Sequence, residues 1–215
     1  MDNLIYILFI SVFIPILLMT LLIEKKARLP IAFMLVGIFV SVFAAEVNGL
    51  LIDIMPMGNF EFTVIVTPIS EEILKAIPVL ICATLISDRR EVLFTAAMTV
   101  GIGFGVLENA YYLLNDVSFN MMDAIIRAFG TGLMHGMCTL LVGVGISFAK
   151  KRYKIFIVGT FALLSTAITY HGIYNMLVQS PYEVAGFLLP IFTYIPFLLW
   201  RFKLKFKLKN KNKNK

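Results

Sequence analysis

Long apolar runs dominate the chain, and short polar stretches separate them. A helix of about 20 residues crosses the hydrocarbon core of a bilayer. Seven runs come near that length: Leu4–Ile23, Ile31–Met55, Phe62–Ile86, Val92–Leu114, Ala124–Ala149, Ile155–Val178 and Ala185–Trp200. The last run is short and contains Pro190 and Pro196. The pattern predicts an all-α, polytopic membrane helix bundle of about seven transmembrane helices.

Composition agrees with this interpretation. The 215 residues are 60% hydrophobic and 15% charged, whereas soluble domains are about 45–50% apolar and about 25% charged. We expect one transmembrane domain over residues 1–200 and a basic tail over residues 201–215. The two cysteines, Cys82 and Cys138, lie inside apolar runs and are interpreted as small buried hydrophobic residues.

Basic residues mark one side of the predicted bundle. Nearly all of the 19 lysines and arginines follow the first, third, fifth and seventh runs, and the loops on the other side contain none. The positive-inside rule then places the N-terminus outside and the C-terminus in the cytoplasm. The tail is expected to bind anionic lipid headgroups. No nucleic acid partner is expected, because no nucleic-acid-binding fold accompanies this charge.

Strongly polar side chains inside the runs are few, and the candidate site is among them. Away from the ends of the runs they are Glu46, Asn48, Glu71, Glu72, Lys75, Glu108, Asn109, His135, His171 and Asn175. Asp53 and Arg127 lie near the outer ends of their runs, where the Arg127 side chain is expected to extend outward. A carboxylate at the centre of a membrane helix costs roughly 2.5–3.5 kcal/mol on insertion scales. At a rise of about 1.5 Å per residue, the carboxylates and histidines lie roughly 9–17 Å from the outer ends of their runs. They can therefore meet in one layer in the outer half of the bilayer.

Two kinds of chemistry suit these residue types. A buried carboxylate is a general base for water, a histidine can orient that water, and an asparagine amide can stabilise an oxyanion. This version requires no cofactor. The same layer can instead hold Zn²⁺, with Glu72, His135 and His171 as ligands, although no His-Glu-x-x-His run is present. Both versions predict hydrolysis of an amide bond inside the membrane.

Proline and glycine residues surround the polar positions. Pro68 precedes the glutamate pair, so we expect the helix to break there and restart near Ser70, with its positive end beside the carboxylates. Gly101 and Gly105 recur at helical spacing, as do Gly132 and Gly136. Such patterns predict close approach of neighbouring helices.

Four motifs follow one another on consecutive predicted helices. They are Glu71-Glu72-x-x-Lys75, Phe104-x-x-x-Glu108, His135-x-x-x-Thr139 and His171-x-x-x-Asn175. The ordered set resembles the PrsW family of intramembrane proteases. That family shares a superfamily with the CAAX-prenyl endopeptidases and with bacteriocin-processing or immunity membrane proteins. The resemblance covers residues 62–178.

The resemblance implies a bacterial stress-response protease of the cytoplasmic membrane. It would make the first cut in a single-pass anti-sigma factor, on the extracytoplasmic side. By motif match, Glu71 and Glu72 activate water, His135 and His171 are their partners, Asn175 is an oxyanion donor, and Glu108 either pairs with Lys75 or joins the site. Lys75, Phe104, Thr139 and Glu46 are supporting residues. The CAAX-type branch has arginine and histidine where Lys75 and Glu108 stand, which argues against prenyl-protein processing.

Other classes of function remain open at this point. Intramembrane carboxylates and histidines also form proton relays in transporters, although the chain shows no inverted repeat of the transporter type. A non-catalytic sensor or immunity protein could retain the same fold. Taken alone, Glu46 is better interpreted as a hydrogen-bond partner between helices, and Asn48 and Asn109 as polar contacts of the same kind.

Overall fold

The computed structural model describes residues 4–115, 121–150, 152–196 and 199. Within these ranges the chain forms helices and no strand. We number the helices α1 (Leu4–Leu22), α2 (Lys25–Ile54), α3 (59–86), α4 (Arg90–Asn115), α5 (Met121–Ile146), α6 (Tyr153–Val178) and α7 (Glu183–Pro196). Helix α3 comprises Asn59–Glu61, a π-helical turn Phe62–Val66, the α-helix Thr67–Ile81 and a second π-helical turn Cys82–Ile86.

A helix lies at each predicted position, which confirms the all-α class. Four described helices are long and apolar enough to cross a membrane, over Ala27–Ile54, Arg90–Asn115, Arg127–Ile146 and Tyr153–Val178. The apolar parts of α1 and α7 are shorter, and two π-helical turns interrupt α3. The count of seven spans, the orientation and the domain division stay predictions, and the tail 201–215 lies outside the described residues.

Helix α4 is central in the packing. It contacts α2 on one side and α5 on the other, and α6 packs against α5. The core between them contains the fully buried side chains of Val79, Val100, Met134 and Cys138. Large apolar side chains such as Phe161 point away from this core and are exposed, as expected of a helix surface that faces lipid.

Glycine residues, which have no side chain, let α4 approach its neighbours closely. A Cβ atom on Gly101 would lie 2.2 Å from the carbonyl oxygen of His135, and one on Gly37 would lie 2.0 Å from that of Val100. The predicted close approach around His135 is therefore present. Gly132 differs, because an added Cβ would meet nothing within 4 Å. Its own lack of a side chain is not what permits the approach.

Pro68 does not break α3. The N–H of Thr67 donates to the carbonyl of Phe62 across the π-helical turn, and the α-helix then continues to Ile81 with Pro68 in its first turn. The predicted break and restart near Ser70 is wrong, because the i→i+5 pattern accommodates a residue that lacks an N–H. The glutamate pair lies inside a continuous helical run.

Candidate active site

A buried lysine lies at the centre of the polar layer. Lys75 Nζ is 2.7 Å from Glu72 Oε1 and 3.9 Å from Glu71 Oε2. The side chains of Lys75 and Glu72 have no solvent exposure, and Nζ stands 4.4 Å from the centroid of the Phe104 ring. A buried charge is strongly destabilising unless it is paired and hydrogen-bonded. The ion pair therefore stabilises two charges that α3 could not bury separately.

Lys75 also reaches the histidine of α5. Its Nζ lies 2.7 Å from His135 Nδ1, and His135 Nε2 lies 2.5 Å from Glu108 Oε2. An ammonium group has donors only, so Nδ1 accepts and Nε2 carries the proton that Glu108 accepts. Glu108 Oε1 is 3.8 Å from Arg127 Nη2. The structure thus pairs Glu108 with His135 and Arg127, where the sequence allowed a pair with Lys75.

The histidine of α6 completes a cluster of six side chains. We call Glu71, Glu72, Lys75, Glu108, His135 and His171 the cluster. His171 Nδ1 lies 2.9 Å from Glu72 Oε1, and because a carboxylate only accepts, Nδ1 is the protonated nitrogen. The lone pair is then on Nε2, which lies 3.9 Å from Glu71 Oε2. This oxygen is buried and has no hydrogen-bond partner among the described residues. The rings of His171 and His135 meet edge to face, with centroids 4.9 Å apart.

Helix α2 contributes a contact to Glu71 that the motifs do not reveal. Asn48 Nδ2 lies 3.5 Å from Glu71 Oε1, and the Ser70 hydroxyl donates to Asn48 Oδ1. Asn48 joins two helices, as its interpretation from sequence required, and it also touches a predicted catalytic carboxylate. A periodic pattern within α2 carries no signal for such a contact, because it depends on how α2 is rotated against α3.

Asn175 has a structural partner. Its Nδ2 donates to the carbonyl of Thr63 at 2.9 Å. That carbonyl lies in the π-helical turn, where the Thr67 N–H is taken by Phe62 and Pro68 has no N–H to donate. An amide carries two N–H donors, so one remains for the predicted role as oxyanion donor. That role stays a prediction.

The remaining predicted residues lie at the edge of the cluster or outside it. The Thr139 hydroxyl is buried and donates to the His135 carbonyl of its own helix. Glu46 accepts a hydrogen bond from the Tyr6 hydroxyl of α1. Asn109 donates to the carbonyl of Arg127 at 2.9 Å, which confirms it as an interhelical contact. The side chain of Arg127 was expected near the outer end of α5, and the structure turns it toward Glu108.

Two cavities reach the cluster. Cavity I has a volume of about 310 Å³ and lies between α3, α4, α5 and α6, with Arg127 and Asn175 in its wall. Cavity II has a volume of about 590 Å³ and lies between α1, α2, α3 and α4, with Glu46 and Glu71 in its wall. Thr63, Thr67, Glu108 and Tyr112 line both cavities. The two cavities therefore meet beside Glu108.

Three of the clustered side chains fit a metal ion. Ligand atoms of Glu71, His135 and His171 all lie within 4.8 Å of one another, and two imidazoles with one carboxylate are a ligand set of catalytic Zn²⁺. The unpaired Glu71 oxygen and the lone pair of His171 suit this role, whereas His135 must release Lys75 or Glu108 to offer a nitrogen. The group contains Glu71 in the place where the sequence suggested Glu72. Glu72 instead accepts a hydrogen bond from Nδ1 of His171. Carboxylates commonly hold metal-binding histidines in this way, through the ring nitrogen that does not bind the ion.

Comparison with known protein families gives a match over most of the chain. The family model described as PrsW family intramembrane metalloprotease matches residues 25–201. The match extends the resemblance seen over residues 62–178 to α2 and α7. No curated protein and no solved structure matches the chain. Since the family match covers most of the sequence, the chain belongs to the PrsW family of intramembrane metalloproteases.

Proposed function

We propose that the protein is an intramembrane endopeptidase that hydrolyses a peptide bond of a single-pass membrane protein. The observation that carries the proposal is the buried Oε2 of Glu71. Glu71 lines cavity II, and this buried oxygen has no hydrogen-bond partner among the described residues and lies 3.9 Å from Nε2 of His171. A buried acceptor that a fold leaves unsatisfied is costly. Such an acceptor beside a histidine lone pair suits a reacting water molecule or a metal ion.

The residues divide into reacting groups and groups that hold them. Glu71 is positioned to take a proton from a water molecule that enters through cavity II. Glu72 holds Nδ1 of His171 and so directs Nε2 toward Glu71, while Lys75 fixes Glu72 and His135 together. The second N–H of Asn175 is the donor for the developing oxyanion, since Asn175 lies in the wall of cavity I.

Glu71, His135 and His171 would hold the metal ion that the family description implies. When bound there, Zn²⁺ supplies Lewis-acid polarisation of the scissile carbonyl and activates water. The same three residues serve the metal-free version, in which Glu71 alone is the base. The two versions differ in their response to a chelator and not in the residues that they require.

The substrate proposal follows from the family resemblance. We take the cleaved protein to be an anti-sigma factor, cut on the extracytoplasmic side of a bacterial cytoplasmic membrane as the first step of regulated proteolysis. The estimated depth of the polar layer, in the outer half of the bilayer, supports a cut on that side. The basic tail would hold the cytoplasmic end of the bundle on anionic lipid.

Proteolysis in liposomes tests the proposal. The purified protein is reconstituted with a tagged single-pass anti-sigma factor, and cleavage is compared among the wild type, Glu71→Gln, Glu72→Gln and His171→Ala. We expect each variant to lose about 10²–10⁴-fold in rate. Glu61→Gln is the matched control, because Glu61 is exposed. Equal cleavage by the wild type and Glu71→Gln would reject the catalytic assignment. Proton flux without cleavage would favour a transporter.

Chelation separates the two chemical versions. Loss of wild-type cleavage in a strong chelator, with recovery on addition of Zn²⁺, would make the enzyme metal-dependent. Undiminished cleavage in chelator would assign the reaction to the glutamates alone. Melting temperatures in the same detergent are measured for every variant, so that a loss of fold is not mistaken for a loss of chemistry.

A further inference from the structure

Cavity II contains a carboxylate that the proposed hydrolysis does not use. Glu46 lies within the membrane span Ala27–Ile54 of α2 and lines the cavity. Its described hydrogen bond comes from the hydroxyl of Tyr6 on α1. A hydroxyl is neutral, and the strong partners of a carboxylate are cationic donors. Intramembrane ionisable groups are usually paired or functional, so Glu46 has capacity for a cationic partner.

The wall of cavity II carries charge of one sign. Glu46, Glu71 and Glu108 line it, and none of its described lining residues is a lysine, arginine or histidine. Two of these carboxylates already face cations in the cluster. Glu71 is 3.9 Å from Lys75 Nζ, and Glu108 is 3.8 Å from Arg127 Nη2. In the part of the chain that the structure describes, Glu46 has no such ion pair.

A second observation indicates that the cavity takes a ligand with hydrogen-bond donors. Glu71 is only 6% exposed, and its carboxylate is poorly satisfied: Oε1 has Asn48 Nδ2 of the same wall at 3.5 Å, and Oε2 has no hydrogen-bond partner within the described ranges. Much of the remaining wall is apolar, including Ile5, Ile52 and Phe62. The volume of about 590 Å³ lies within the range of about 300–1,000 Å³ typical of binding pockets. A long apolar stem with a cationic end complements such a wall.

We propose that cavity II binds a lysine or arginine side chain of the cleaved protein, close to the scissile bond, and that Glu46 selects it. This inference rests on the proposed protease function. Cavities I and II meet at Thr63, Thr67, Glu108 and Tyr112, so one extended segment can occupy both and pass Glu71. Arg127 lines cavity I and not cavity II. The charges therefore favour a cationic side chain in cavity II over one in cavity I.

A randomised substrate mixture tests the selection. Single-pass transmembrane peptides with random residues in their outer half are incubated with proteoliposomes, and the products are sequenced by mass spectrometry. For the wild type we expect lysine and arginine to be enriched about tenfold or more at one position near the cut. Glu46→Gln should remove the enrichment, and Glu46→Lys should shift it toward aspartate and glutamate. Glu24→Gln, at an exposed carboxylate outside both cavities, should leave it unchanged.

A capture experiment that needs no turnover separates this inference from the protease proposal. Benzoylphenylalanine in place of Ile52 is photo-crosslinked to single-pass peptides that carry lysine, methionine or glutamate at the selected position. Preferred capture of the lysine peptide, lost in Glu46→Gln, supports the site even where the wild type cuts nothing, and that combination rejects only the protease. If Glu46→Gln changes neither the residue preference of cleavage nor that of capture, the site is rejected and the protease proposal is unaffected.

Discussion

Lys75 Nζ lies 2.7 Å from His135 Nδ1 and thereby joins two helices of the site. The same nitrogen is 2.7 Å from Glu72 Oε1, and His135 in turn contacts Glu108. Because a lysine ammonium can only donate, it fixes which nitrogen of His135 carries the proton. The Glu-Glu-x-x-Lys motif and the histidine motif are thus one hydrogen-bonded unit, and a change at Lys75 should affect both.

Replacing Lys75 with methionine tests that unit. Lys75→Met leaves Glu72 buried without its cation, and removal of one member of a buried ion pair typically costs about 3–5 kcal/mol. We expect the free energy of unfolding in detergent to fall by about that amount. The double variant Lys75→Met with Glu72→Gln should recover part of the loss, because no unpaired charge then remains.

An exposed ion pair provides the control for this measurement. Arg89 and Glu91 lie 3.7 Å apart, with side chains 73% and 91% exposed, so Arg89→Met should leave unfolding nearly unchanged. The interpretation would be wrong if Lys75→Met were as stable as the wild type. It would also be wrong if the double variant were no more stable than Lys75→Met alone.

Gly101→Ala tests the contact between α4 and α5. The added Cβ would lie 2.2 Å from the backbone oxygen of His135, and backbone cannot move aside as a flexible side chain can. We expect a loss of about 1–3 kcal/mol in unfolding free energy and reduced cleavage, because His135 shifts with its backbone. Gly132→Ala, whose added Cβ would meet nothing within 4 Å, should have little effect. Comparable losses in the two variants would contradict this account.

The positions of the helices could be predicted from hydropathy because a bilayer requires long apolar segments. Phe62–Ile86 was predicted as one helix, and residues 59–86 form it. The meeting of Glu71, Glu108, His135 and His171 could also be anticipated. Depth along a helix follows from residue count alone, whatever the rotation of the helix.

The contacts between side chains could not be predicted in the same way. That Glu72 holds His171, that Asn48 touches Glu71 and that Arg127 faces Glu108 depend on the rotation of each helix about its axis. One sequence does not encode that rotation in a readable pattern. The π-helical turn before Thr67 was not predicted, for a different reason. A proline indicates that one backbone hydrogen bond of the helix is absent, but it does not indicate which other hydrogen bonds form in its place.

Asn175→Asp tests the hydrogen bond between the Asn175 side chain and the carbonyl of Thr63 in that turn. The substitution keeps the shape of the side chain and removes the N–H that donates to the Thr63 carbonyl. A buried acceptor left without its donor costs about 1–3 kcal/mol, so the unfolding free energy should fall by that amount. Asn115→Asp, the same change at an exposed helix end, is the control. An unchanged stability with a large loss of cleavage would make Asn175 an oxyanion donor with no structural role.

Metal content gives the most direct test of which glutamate belongs to the candidate ion site. Ligand atoms of Glu71, His135 and His171 lie within 4.8 Å of one another, so we expect about one Zn²⁺ per chain in protein purified without chelator. Elemental analysis of Glu71→Gln and His171→Ala should find it lost. Glu72→Gln should retain a site about 10–100-fold weaker, because Glu72 holds the far nitrogen of His171 and orients it.

Glu61→Gln, at an exposed carboxylate outside both cavities, should bind the ion like the wild type. The reverse order, with the ion lost in Glu72→Gln and kept in Glu71→Gln, would make Glu72 the ligand. The distances between ligand atoms decide the expected order, because the group whose ligand atoms lie within 4.8 Å of one another contains Glu71 and not Glu72. Glu72 Oε1 is already held by Lys75 and His171, while Oε2 of both glutamates has no hydrogen-bond partner among the described residues. Wild-type protein that cleaves its substrate while carrying no metal would leave Glu71 as the base that acts alone.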